Sequence, residues 1–313
     1  MPTQSERSTG IAFLEALATV VIWGATFVAT KIALQEVAPA TVVWLRFGMG
    51  LAVIGLAAKL RGDLSLPHPG DWAQLMLLGF IGVALHQWLQ ANGLRTAAAT
   101  TTAWIVATTP VFISLLGWLV LQERLSPTQC IGMGIAAVGV VVVVSRGDLA
   151  GLRLGRTAGI GDLLVLISAP NWAVYTILSR RLLSRTPPTK MMFFVMLFGW
   201  IFVTFWALGF GPGMREFASL SPRGWMAIAG LGILGSGLAY IMYYDALQVL
   251  PASQLGVFLN IEPLVTMALA APLLGEPATV TVAIGGGLIL AGIVLVNRRN
   301  PTAARALAAS HDT

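Results

Sequence analysis

The chain has 313 residues, of which 57% are apolar and 10% charged, against roughly 25% charged in an ordinary soluble domain. Together with a mean hydropathy of +0.81 and 34 glycines, this excludes a soluble globule and fits helices solvated by lipid, where small residues let backbones approach. The formal charge of +6 comes from Lys and Arg scattered singly or in pairs, which reads as topology signals and not as a nucleic-acid surface. Cys130 is the single cysteine, so neither an intramolecular disulfide nor a multi-thiolate metal site can form.

Apolar runs bounded by charges, Pro and Gly predict ten spans, over 11–33, 39–59, 72–95, 98–121, 127–145, 161–183, 189–209, 223–248, 252–273 and 278–297. The first run follows a short polar stretch with Arg7 and has no clear small-residue cleavage site, so it reads as a retained helix. The longest interior polar gap, 146–160, divides the chain into two halves: 1–145 and 161–297, with a tail over 298–313.

The halves are related. At an offset of 149, Trp23 meets Trp172, Lys31 meets Arg180 and Pro39 meets Pro188. At 153, Trp72 meets Trp225, Gly79 meets Gly232, Gly82 meets Gly235, Pro110 meets Pro263 and Glu123 meets Glu276, with Gly132, Gly134 and Gly139 matched to Gly285, Gly287 and Gly292. Five helices per half is an odd number, so the second repeat enters the membrane from the opposite side. The predicted fold is therefore all-α and polytopic, two inverted five-helix repeats around a central cavity. Many secondary transporters derive alternating access from this arrangement.

Loop charges orient it. The side of both termini holds Arg7, Lys59, Arg61, Arg124, Arg180, Arg181, Arg185, Lys190, Arg298, Arg299 and Arg305, against Lys31, Arg95, Arg146, Arg153, Arg156, Arg215 and Arg223 on the other. By the positive-inside rule both termini are expected in the cytoplasm, with the chain in a cell inner membrane.

Glu262-Pro263, Gly275-Glu276, the glycines 285, 286, 287 and 292, Trp23-Gly24-Ala25-Thr26-Phe27 and Arg46 resemble the EamA type of the drug/metabolite transporter superfamily, over nearly the whole chain. The first half departs from the pattern, with Thr109 where the second has Glu262 and Gln122 where it has Gly275. The resemblance implies ten helices around a cavity and transport, commonly export, of amino acids or other small metabolites. Within the family the chain is similar to the YddG-type aromatic amino acid exporters, which would make amino acids and the bilayer its partners.

Several polar or aromatic residues inside spans are candidate substrate contacts. His86 and Gln90 share one helical face and can hydrogen-bond a ligand without a buried charge, the alternative being interhelical bonding; Gln87, about 100° away, reads as a helix-joining residue. Tyr240 and Tyr244 share another face, and Tyr240 reads as cavity lining while Tyr243 reads as interfacial belt. Trp104 with Thr101 and Thr108 suits an apolar ligand. Trp23 and Trp172 are matched cavity walls or packing wedges. Trp72, Trp88, Trp200 and Trp225 read as interface anchors.

Pro110 and Pro263 should kink their helices and free the carbonyls of Val106 and Leu259 for a ligand, or else leave them to Thr or Asn neighbours such as Asn260. Glu262, near midspan, costs on the order of 2.5–3.5 kcal/mol on insertion scales. It reads as a coupling or substrate-attracting charge, or as a structural partner of Arg46 or of the kinked backbone. Ser126-Pro127-Thr128-Gln129 has the form of a capping box, with Glu123 and Glu276 expected to order the adjoining turns.

No Walker loop, HExxH or paired metal ligands are present, and the three histidines are at 68, 86 and 311. An enzyme, an ATP-driven pump, a metal site and a cofactor are therefore not expected. An intramembrane lipid-handling enzyme or a channel remains the rival reading.

Overall fold

The computed structural model describes residues 9–122, 125–148, 159–209, 211, 213–250 and 252–297. Glu123, Arg7, Arg124, Arg153, Arg156, most of the inter-repeat segment and the tail over 298–313 lie outside them. Among the described residues ten helices are long and apolar enough to cross a membrane: α1 (Thr9–Ala33), α2 (Pro39–Arg61), α3 (Pro69–Leu94), α4 (Ala99–Val120), α5 (Pro127–Ser145), α6 (Ile160–Arg180), α7 (Pro188–Gly209), α8 (Pro222–Val249), α9 (Gln254–Leu274) and α10 (Val280–Asn297). The face on which α1 begins is called the near face below, and the opposite one the far face.

Packing follows the internal symmetry. α1 lies against α8 and α9, and its repeat counterpart α6 lies against α3 and α4; α2 packs on α7 and α8, α7 on α3, and α5 on α10. The two repeats are thus interleaved. α5 and α10 cross backbone against backbone. A Cβ on Gly132 would stand 2.7 Å from the Gly292 carbonyl oxygen, and one on Gly139 would stand 2.7 Å from that of Gly285. Since Gly132 matches Gly285 and Gly139 matches Gly292, the internal two-fold maps this crossing onto itself. The rising register of one helix against the falling register of the other makes the pair antiparallel.

Each repeat departs from regular α geometry at the same two places. α3 widens into a π-helical stretch over Gly79–Leu85 and α8 over Gly230–Leu238, around the matched glycines. Such turns expose carbonyls, and they recur at functional sites. α4 breaks between Ala107 and Thr109, and α9 between Leu259 and Glu262, one step before the matched prolines. In the first repeat hydroxyls take up the freed carbonyls: Thr108 donates to Ile105 (2.6 Å) and Thr109 to Val106 (2.7 Å). The Thr-satisfied kink is the form α4 takes.

Ser126 and Gln129 form the expected capping box at the start of α5. Glu276 differs from expectation. It does not order its own turn but reaches into the other repeat, where it accepts from the Ala99 and Thr100 amides at 2.8 and 3.0 Å. Two more carboxylates cap across repeats on the far face. Glu216 accepts from the Ala38 amide at 2.9 Å, and Glu36 from the Ser221 amide and hydroxyl at 2.7 and 2.6 Å. An anion at a helix N-terminus satisfies orphan amides and the helix dipole together.

The bonds from Ser221 hold the Glu36 carboxyl below its ordinary value of 4.5. A carboxylate whose pKa is depressed by folding stabilises above its unfolded value and loses that contribution as pH falls through the folded one. Thermal unfolding in detergent should therefore separate the wild type from Glu36→Gln at neutral pH, and the two curves should converge as pH falls below the ordinary carboxylate range. A gap that stays constant down to pH 3.5 would mean that Glu36 stabilises by shape alone.

Candidate functional site

The centre of the molecule is built where α1 and α6, the first helices of the two repeats, meet the π turns of α8 and α3. On one side the Trp23 indole donates to the Gly235 carbonyl oxygen at 3.1 Å, within the α8 π turn, and the Thr19 hydroxyl donates to that of Ala239 at 3.2 Å. On the other, the Asn171 amide donates to the Ile81 carbonyl oxygen in the α3 π turn at 2.9 Å. The wide turns leave carbonyls that a regular helix would use, and each repeat spends a side chain of its neighbour to satisfy one.

Aromatic rings gather around each of these junctions. Trp23 meets Tyr240 edge-on at 5.3 Å and Tyr243 at 5.2 Å. Trp172 meets the His86 ring at 4.7 Å and the Tyr175 ring at 4.7 Å. His86 is buried, and its Nδ1 has no hydrogen-bond partner. Tyr243 therefore does not sit in an interfacial belt, because its ring is held between Trp23 and Tyr244.

Between the clusters lies Arg46 of α2. Its Nε donates to the Ser236 hydroxyl at 2.7 Å, and Nη1 to the Gln87 side-chain oxygen at 3.3 Å. Gln87 thus joins α2 and α3, as its position on the helix suggested. Glu262 opens the second segment of α9, beside α1: a Cβ on Gly24 would stand 2.7 Å from the Glu262 carbonyl oxygen, and the Thr266 hydroxyl donates to the carbonyls of Gly24 and Glu262. The sequence reading allowed Glu262 to be a structural partner of Arg46, but the guanidinium bonds Ser236 and Gln87 instead.

Not every candidate is at this centre. Trp104 is 2% exposed. It lies off-axis with Val143, Val282, Ile289 and Ile293, its indole on Gly286 of α10, and its Nε1 unpartnered. The Thr108 hydroxyl is taken by the α4 break. Gln90 and Asn260 are half-buried, and Asn260 sits at the break of α9.

The near side of the centre is shut. The hydroxyls of Tyr175 and Tyr244 both point at the Met192 sulfur, at 3.5 and 3.3 Å. Ile54, Thr189, Met192, Tyr240, Ile241 and Tyr244 line a gap of only about 10 Å³, the space of roughly one water. Outside this layer Arg61 of α2 forks onto Asp245 of α8 (2.8 and 2.7 Å), and also donates to Thr189 of α7 at 3.2 Å. Arg185 pairs with Asp71 across the same face.

Tyr175, Met192, Ser236 and the Arg61–Asp245 pair escaped the sequence reading. Tyr175 carried a usable signal, since it stands three residues after Trp172 on one helical face. Arg61 and Asp245 are 184 positions apart and match no charge in the other repeat, so nothing local connects them.

This architecture has relatives. The sequence profile of the EamA-like transporter family matches residues 10–145 and again 159–298. The chain belongs to the EamA-like transporter family. An uncharacterized transporter of Archaeoglobus fulgidus is 28% identical over 281 residues, covering 90% of this chain and 95% of the relative. A probable terminal-alkyne amino-acid exporter of Streptantibioticus cattleyicolor is 28% identical over 282 residues, covering 90% and 91%. A protein of known crystal structure, 23% identical, superimposes with a TM-score of 0.66 over 94% of this chain and 100% of its own. The chain is a multi-pass membrane transporter with EamA repeats in both halves.

Proposed function

We propose that this protein is a secondary transporter that exports amino acids, those with aromatic or large apolar side chains, by alternating access of its two inverted repeats. The near face is then cytoplasmic and carries both termini, in accord with the excess of Lys and Arg there, and the membrane is the cell inner membrane.

The observation that carries this reading is the pair of aromatic clusters at the π turns, each mixing rings with a few polar groups where the repeats meet. Trp23 with Tyr240 and Trp172 with His86 supply apolar walls and sparse donors and acceptors, the composition of a small-molecule site. The name of the Streptantibioticus relative supports the same substrate class. Gln90 and Asn260 would extend the polar lining, Tyr244 would close it, and hinge motion would fall at Pro110 and Pro263. Trp104 and Thr108 would support α4 from behind.

Counterflow of labelled tryptophan, phenylalanine and leucine in liposomes tests the proposal. Saturable exchange is expected, with His86→Ala or Trp23→Ala weakening half-saturation roughly tenfold or more while the protein stays folded, the size of losing one aromatic or hydrogen-bond contact in a site. Trp104→Ala should instead lower folded yield. Saturable exchange of other metabolites but of none of these amino acids would move the assignment to a different cargo of the family.

A further inference from the structure

Two opposite charges stand near the centre, Arg46 buried and Glu262 half-buried, and among the described residues neither is paired with a charge of the other sign. Arg46 is 8% exposed, and its guanidinium is held by two neutral groups, the Ser236 hydroxyl and the Gln87 amide oxygen, beside the Phe47 ring at 5.3 Å. Among the described residues no carboxylate comes within 4.0 Å of it, and no Lys or Arg nitrogen comes within 4.0 Å of the Glu262 carboxylate. An unpaired charge in the interior of a membrane protein is costly and marks a ligand or ion pathway.

One turn of α1 relates the two charges. Trp23 and Thr26 face the α8 π turn: Trp23 bonds the Gly235 carbonyl, and a Cβ on Gly235 would meet Thr26 at 2.7 Å and the Arg46 Nη2 at 3.8 Å. Gly24, on another side of the same turn, lies on the Glu262 backbone. Arg46, on the α8 π turn that Trp23 bonds, and Glu262, on whose backbone Gly24 lies, therefore flank the one turn of α1 that carries Trp23, the ring packed on Tyr240, without being bonded to each other.

We propose that Arg46 receives the carboxylate, and Glu262 the ammonium, of a zwitterionic α-amino acid whose side chain lies on the Trp23 and Tyr240 rings. This rests on the amino-acid reading above and names the two residues that enforce it. Ser236 and Gln87 occupy two of the five guanidinium donors and fix its plane, leaving donors for a carboxylate; Arg is suited to this because its fork is planar and permanently charged. A neutral zwitterion satisfies both charges at once. A carboxylic acid or an amine alone satisfies one and leaves the other bare, which turns an attraction into discrimination.

The test crosses ligand with variant in liposome counterflow of phenylalanine, competed by phenylalaninamide, which lacks the carboxylate, and by 3-phenylpropionate, which lacks the ammonium. Wild type should prefer phenylalanine to either by roughly tenfold to a hundredfold, the range for a hydrogen bond to a charged group. Arg46→Gln should erase the preference over the amide and keep that over 3-phenylpropionate; Glu262→Gln should do the reverse. Arg46→Lys and Glu262→Asp should keep the wild-type order, a readout that survives if the neutral variants fail to fold. Saturable phenylalanine counterflow whose analogue preferences do not change in the variants overturns the charge assignment and leaves the amino-acid reading standing. Absence of saturable amino acid counterflow in the wild type overturns both.

Discussion

Gly292→Leu should abolish folding or leave a protein that melts far below the wild type, whereas Gly287→Ala, less than two turns away on the same helix, should be neutral or slightly stabilising. A Cβ at Gly292 would lie 2.5 Å from the Gly132 carbonyl oxygen and 2.6 Å from the Ala136 amide nitrogen, both backbone atoms that cannot turn aside. Overpacking a core costs about 1–3 kcal/mol where side chains can adjust, and here two helices would have to separate. A Cβ at Gly287 meets nothing within 4 Å, and alanine improves on glycine by about 1 kcal/mol in a helix interior. Fluorescence-detected size exclusion after a heating series reads both variants. Equal melting of Gly292→Leu and wild type would mean that α5 and α10 do not cross at these glycines.

That contrast also marks where the sequence stops being legible. Gly285, Gly286 and Gly287 form one run, and composition reads all three as packing surface; the structure gives each a different neighbour. Gly285 lies on α5, Gly286 carries the Trp104 indole, and Gly287 faces away from protein. Helix number, limits and the repeat could be read because each rests on a period or an offset, which a long apolar chain repeats many times. The Thr-satisfied kink at Pro110 and the capping box at Ser126 could be read because the partners are within four residues. The π turns were foreshadowed only as matched glycines.

Contacts between repeats were not legible. Glu276 was assigned to its own turn because its target, the start of α4, is 176 positions away. Trp104 was placed in the cavity because a Trp beside threonines fits a ligand as well as it fits a glycine on α10. Ser236, which polarity alone cannot rank above the other hydroxyls within spans, acquires meaning only once Arg46 is found on it.

Asp245→Asn should open the near face. The Arg61 fork on Asp245 links α2 of the first repeat to α8 of the second, and its third bond takes in α7. All three helices must separate if the Tyr175, Tyr244 and Met192 layer beneath is to part. No equivalent lock faces the other way at this position: the residue matched to Asp245 is Asn92, whose amide donates to the Trp88 carbonyl of its own helix at 2.8 Å. In the alternating-access mechanism proposed above, the pair favours the form with the near face closed.

Breaking a buried pair by removing one partner costs about 3–5 kcal/mol, but the Arg61 side chain is 33% exposed, which screens it toward the low end. Each 1.4 kcal/mol lost from one state shifts the ratio of the two states tenfold. With Cys130→Ser as background, a cysteine in place of Ile54, which is 1% exposed behind the latch, should react with a membrane-impermeant maleimide at least tenfold faster once Asp245→Asn is added. Thermal stability should fall at the same time, because the closed form loses a link that the open form never had. An unchanged labelling rate in folded protein would make the ion pair a passive brace, and the bias toward closure would then have to reside in the tyrosine and methionine layer.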